Sequence, residues 1–237
     1  MPTDDDRRHE PTTDRWWGEI WDFEFATPDA SLALTTRLAI YPNLHQTWFW
    51  AAVVQTGRQY VLCRDHDLAA PRPAWPLEIR GGSLWMHAIC ETPFEHWTVA
   101  MEAYAVGFDD PMEAWRSERG DKVGLAFDLE WERLEMLTRR HGEGFDGYEL
   151  ACRVSGVLQI DDETIDVDTA GNRMHTWGIA DLSSLTVKFG LDSGAGAVAH
   201  ACAPLQVELP DGSTRTLLRS LRRFPNGSQR FDLEVSP

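Results

Sequence analysis

Apolar and polar residues alternate with a period of two along most of this chain, in short runs cut by turn residues. Such runs are half-buried strands, because successive side chains on a strand point to opposite faces. Trp21-Asp22-Phe23-Glu24-Phe25 is the first clear case, and Leu32 to Ile40 the second. Thr47 to Gln55 is rich in aromatic and β-branched residues, as buried strands are, and it returns through Thr56-Gly57-Arg58 into Gln59 to Arg64. Pro76 to Arg80, Ser83 to Glu91, His96 to Val106 and Lys122 to Arg133 follow. Tyr148 to Ile160 reads as a strand pair or one bent strand, with Gly156 as a bulge, and Thr164 to Asp168 and Met174 to Gly178 continue the pattern. Further runs reach Val235. Strands at turn spacings of about 8–12 residues make an all-β sandwich or barrel. One short helix is expected over 111–118, capped by Asp109 or Asp110 ahead of Pro111. Without βαβ alternation, and without a GxGxxG, P-loop, HExxH or GxSxG motif, nucleotide-binding α/β folds and the common hydrolase frameworks drop out.

Three segments are expected. Residues 1–15 are charged, contain proline and show no periodicity, so they read as a disordered arm. The glycine-rich stretch over 141–147 then divides two β-rich halves, 16–140 and 146–237.

Charge and composition narrow the partners. The 237 residues carry 22 basic and 38 acidic side chains, a net charge of −16, which repels phosphate backbones and excludes nucleic acid as a partner. No run approaches the roughly 20 apolar residues of a membrane helix, so no membrane insertion is expected. The opening MPTDDDRRHE has no apolar core of an export signal, so a cytoplasmic chain with free thiols is expected. Cys63, Cys90, Cys152 and Cys202 are far apart and form no CxxC pair. Neither a metal nor a cofactor is expected from them. The 11 tryptophans imply an aromatic core or an aromatic-walled cavity.

The strings WDFEF, YPNLHQTWFWAAVV, CETPFEHWTVAMEAYAV, DLEWE, YELACRVSGVLQI and GNRMHTWGIADL resemble the carotenoid 1,2-hydratase-like, AttH-like superfamily, from about Trp16 to about Asp181. The resemblance implies lipocalin-like β architecture, often as two barrel-like halves. It also implies a hydrophobic small molecule, a polyene or terpenoid, as substrate or cargo. The family pattern places serine or threonine before Trp-Gly and then Arg-Asp-Trp. Thr176-Trp177-Gly178 fits, whereas Ile179-Ala180-Asp181-Leu182 departs, so no arginine-dependent role is carried over to this stretch.

Protonating an alkene, the chemistry the resemblance implies, needs a carboxylic acid kept neutral by burial and ring faces to shield the cation. The 83–104 hairpin offers both. Trp85, His87 and Glu91 share one strand face, and His96, Glu102 and Tyr104 share one on the next strand. If that mixed face lines a lumen, Glu102 or Glu91 is the acid, tuned by His96, with Trp85, His87 and Tyr104 as ligand-binding walls. If it meets water, it is a solvated face. Trp97, on the opposite face, and Trp48 and Trp50 are further candidates for the ligand pocket. Glu130 is a second candidate acid, on the resemblance alone. His175 and Trp177, sharing a face, are the best pair in the second half; the alternative is a histidine satisfying a buried carbonyl.

With the resemblance, these residues imply a lyase, hydratase or cyclase that needs no cofactor and works by general acid catalysis. The second reading is a non-catalytic lipocalin-like carrier. The third is a structural β module that dimerises through an exposed aromatic patch.

Overall fold

In the computed structural model the described residues are 1–179, apart from 30, 73–74, 111–112 and 115–118, together with the backbone of 186–190, 198–208, 214–223 and 229–236. They are nearly all strand, as the period-two pattern requires. The strands are β1 (Trp17–Ala26), β2 (Leu32–Tyr41), β3 (Gln46–Gln55), β4 (Tyr60–Leu68), β5 (Leu77–Arg80), β6 (Leu84–Thr92), β7 (His96–Phe108) and β8 (Asp121–Arg133). After them come β9 (Thr138–Gly142), β10 (Phe145–Ile160), β11 (Glu163–Ile179), β12 (Thr186–Gly190), β13 (Val198–Glu208), β14 (Thr214–Arg223) and β15 (Gln229–Ser236). Of the helix expected over 111–118, all but Glu113 and Ala114 lie outside the described residues.

The first sheet runs β4-β3-β2-β1-β11-β10-β8-β7-β6-β5 and bends round until β4 pairs with the end of β7, Tyr60 opposite Phe108 and Leu62 opposite Val106. The ring is a closed, antiparallel, lipocalin-like barrel, and closure leaves its member strands without a free edge. The β5–β6 hairpin continues the sheet from the first part of β7, and β9 pairs with β10. A second sheet has the order β12-β15-β14-β13, and its β12 approaches β2 and β3.

Register aligns the apolar faces. Trp21 and Phe23 of β1 lie opposite Leu38 and Thr36 of β2, and Trp97, Val99 and Met101 of β7 lie opposite Trp131, Leu129 and Phe127 of β8. These inward side chains form one core. Fully burying each large one is worth about 1.5–3 kcal/mol, so the aromatic lining dominates the hydrophobic stabilisation.

Four expectations are corrected. The mixed face of the 83–104 hairpin lies outside the barrel: Glu91 and Glu102 are exposed, and Trp85, His87 and His96 are half-buried. Inward positions on β6 and β7 go to Leu84, Met86, Met101 and Val99, since burying the apolar face releases more free energy than burying the charged one. The chain does not divide at 141–147, because β10 and β11 complete the same ring as β1 and β8; the break between sheets follows β11. Nor is the segment 1–15 a loose arm. Its Asp6 is fully buried against Arg173, and its His9 pairs with Glu19.

Gly156 produces no bulge. It sits at φ 138° opposite Leu129 in unbroken register, and a Cβ there would lie 2.1 Å from the Asp128 carbonyl oxygen, so glycine permits close approach of β10 and β8.

Candidate active site

One end of the barrel is polar inside. Counting in twos along β1 from Phe25 through Phe23 and Trp21 brings Glu19 onto the inner face, and counting back along β11 from Trp177 brings His175 and Arg173. Pairing sets Trp21 opposite His175, and His175 opposite Tyr148 of β10. The segment before β1 brings Asp6 and His9 to this end.

Asp6 occupies a complete carboxylate receptor. Arg173 Nη1 donates to Oδ1 at 2.6 Å, and the Tyr148 hydroxyl donates to the same oxygen. Trp97 Nε1 donates to Oδ2 at 2.9 Å and the Phe94 main-chain N–H at 2.5 Å. The Arg173 guanidinium also lies 5.0 Å from the Trp97 ring centre and 5.2 Å from that of Tyr148. Burial alone raises the Asp6 carboxyl, but the charge of Arg173 and the hydrogen bonds from Arg173, Trp97 and Tyr148 outweigh it, so Asp6 is held below its ordinary range. Burial also pushes the Tyr148 hydroxyl well above its ordinary value.

The second cluster centres on Glu19. Its Oε1 lies 2.8 Å from His9 Nδ1 and 2.9 Å from His175 Nε2, and accepts the His9 main-chain N–H at 2.9 Å. Glu19 and His175 are both 0% exposed. His175 stacks on Trp21 at 4.5 Å between ring centres, and His9 stacks on Trp177 at 3.8 Å. Burial raises Glu19, but the hydrogen bonds from His175 and His9 prevail and lower it. Burial lowers His175, with Glu19 opposing only in part. Glu19 Oε2 and His175 Nδ1 are buried without a hydrogen-bond partner, as is His9 Nε2, which lies 3.6 Å from Asp5 Oδ1.

Of the residues singled out in the sequence, His175, Trp177 and Trp97 meet here. The others do not. His96 pairs with Glu130 on the outer face, where Thr98 also donates to Glu130 at 3.3 Å. Glu102, Trp85 and Tyr104 line an open outer groove of about 480 Å³; Tyr104 is 60% exposed, and Trp85 donates to Glu78 at 3.1 Å. His87 stacks beside Trp85, and Glu91 is exposed. Trp48 and Trp50 are buried, on the face of β3 opposite the core residues Phe49 and Ala51, with His66 5.0 Å from Trp48 and Arg37 over Trp50. A further open groove of about 730 Å³ sits at the far end of the ring, among Gln55, Arg58, Asp109 and Glu163.

Asp6, His9, Glu19, Arg173 and Tyr148 were missed by sequence reasoning. For Glu19 and Arg173 the signal was present: extending the WDFEF and HTW alternation by two residues toward the N-terminus puts both on the apolar face. Asp6 and His9 carry no local signal, since their partners are more than a hundred residues away for Arg173 and His175.

Residues 2–212 match the family profile described as Domain of unknown function (DUF7064). No curated protein matches the chain. Among solved structures, the crystal structure of CghA with Sch210972 is similar at 11% identity and a TM-score of 0.40, over 92% of this chain and 59% of that one. The chain therefore spans less than two thirds of the length of that structure.

Proposed function

The chain belongs to the DUF7064 family, and we propose that it is an enzyme of the lyase, hydratase or cyclase type, moving a proton on a hydrophobic polyene or terpenoid at the Glu19 end of its barrel. The observation that carries the reading is the buried cluster of Glu19, His175 and His9, set among the rings of Trp21, Trp177 and Tyr148 with acceptor and donor atoms left unpartnered. A fully buried ionisable group with an unused atom costs folding free energy, and such groups concentrate where proteins do chemistry. The aromatic surround supplies an apolar bed for a polyene and ring faces for positive charge.

The acid is not on the 83–104 hairpin in this reading, because Glu91 and Glu102 are exposed. Glu19, which accepts from two imidazoles at Oε1 and keeps Oε2 free, suits proton uptake at Oε2, and His175, whose Nε2–H points at Glu19, leaves its unpartnered Nδ1 as a second acceptor. Arg173, Tyr148 and Trp97 act as positioning residues: they hold Asp6, and with it the segment that carries His9.

The test uses the full chain with a panel of polyenes and terpenoids. Quenching of tryptophan fluorescence reports binding, and mass spectrometry reports turnover. Turnover that is lost in Glu19→Gln and in His175→Gln, with circular dichroism unchanged, is the expected result. Binding without turnover in the unmodified chain moves the assignment to a carrier. Unchanged turnover in both variants overturns the site.

A further inference from the structure

We propose that His9, Glu19 and His175 form a binding site for a single divalent transition-metal ion of the zinc class. The inference rests on the preceding reading only for which end of the barrel does the work. Each of the three residues offers one ligand atom, and these atoms lie within 4.8 Å of one another. Two imidazoles and a carboxylate are a recurrent donor set for catalytic zinc, which keeps its fourth position open for water or substrate.

The distances suit an ion. Donors about 2.1 Å from a tetrahedral centre stand roughly 3.4 Å apart. Here both histidine nitrogens are already 2.8 and 2.9 Å from Glu19 Oε1, so a displacement of about half an ångström opens the cradle. The site is also well supported. Trp21 and Trp177 stack on the two imidazoles, and Asp5 lies beyond His9 Nε2 at 3.6 Å, where an orienting carboxylate commonly stands.

Charge gives the second, independent observation. Arg173 is committed to Asp6, and the ion-pair partners of Glu19 among the described residues are the two histidines alone. A 0% exposed carboxylate thus lacks a fixed cation, and its Oε2 is unpartnered. A divalent ion supplies the missing charge and can take that oxygen as a second ligand atom. To ligate the ion, each imidazole would take its other tautomer, with the proton carried on the unpartnered His9 Nε2 and His175 Nδ1. With His9, Glu19 and His175 holding it, such an ion would supply a polarised water at its open position.

The experiment takes the full chain, strips it with a chelator and titrates it with Co²⁺. Expected are one equivalent bound, visible d–d absorption of a low-coordinate ion, and loss of that absorption on adding Zn²⁺. His9→Gln, which leaves the barrel strands untouched, and Glu19→Gln each abolish the band. His141→Gln, on the exposed His141–Asp146 pair, leaves it intact. Absence of the band in the unmodified chain, or an unchanged band in both His9→Gln and Glu19→Gln, overturns the proposal. The readout needs no substrate. Turnover of a polyene by a chain that shows no Co²⁺ band sinks this inference alone, whereas Co²⁺ binding without any turnover sinks the enzymatic reading alone.

Discussion

Asp6 and Arg173 form a buried ion pair with 0% and 1% side-chain exposure, and their energetics are lopsided. Keeping both charges out of water is close to neutral overall, but removing one strands the other. Arg173→Met should therefore destabilise the fold less when combined with Asp6→Asn than Asp6→Asn does alone, where urea unfolding should record a loss of about 3–5 kcal/mol. The pH dependence has a defined sign. Asp6 sits below its ordinary value of 3.8 in the folded chain, so the pair contributes fully above that value and is lost as pH falls through the lower folded one. Urea midpoints should drop as pH falls below 3.8, and Asp6→Asn should flatten that drop; an equal slope in the variant would assign the acid lability to other groups. None of this could be read near Asp6 itself, because MPTDDDRRHE has the composition of a solvated arm and its decisive partner stands 167 positions away.

Strands show how far a local pattern reaches. The two faces of β6 and β7 were separable in the sequence, and their apolar members are the inward ones. Which face would be wet depended on closure, and closure placed Glu91, Glu102 and Tyr104 outside. Glu91→Gln and Glu102→Gln should shift stability by no more than about 0.5 kcal/mol, as exposed substitutions do; a larger loss in thermal unfolding would mean that the outer groove is covered. Gly156 is the opposite case. At φ 138° with the Asp128 carbonyl 2.1 Å from any added Cβ, Gly156→Val should force β10 off β8 and cost several kcal/mol, about 3 or more, seen as early exchange of the paired amides. The glycine was legible in the sequence as a special position, but as a bulge rather than as a point of contact between strands.

Taken as a molecule, the barrel is a closed ring whose polar end is covered by its own N-terminal segment, with a second sheet beside β2 and β3. Burial in its wall pushes the thiols of Cys63 and Cys90 up to about 12. Alkylation of the native chain at pH 8 (about four units below, where the thiolate is scarce) should leave both unmodified by peptide mass mapping, and unfolding in urea should expose them together. Labelling of either in the folded chain would show that the ring opens on that timescale. Strand positions, the all-β class and the faces shared by Trp21 with Phe23, Trp97 with Val99 and His175 with Trp177 followed from the sequence alone, because period-two alternation is a local property of each segment. Ring closure, the outward turn of the acidic hairpin and the meeting of Asp6 and His9 with Arg173, Glu19 and His175 were decided by tertiary structure, because inside and outside exist only once β4 has met β7, and a charge chooses its partner by what the closed barrel leaves unpaired.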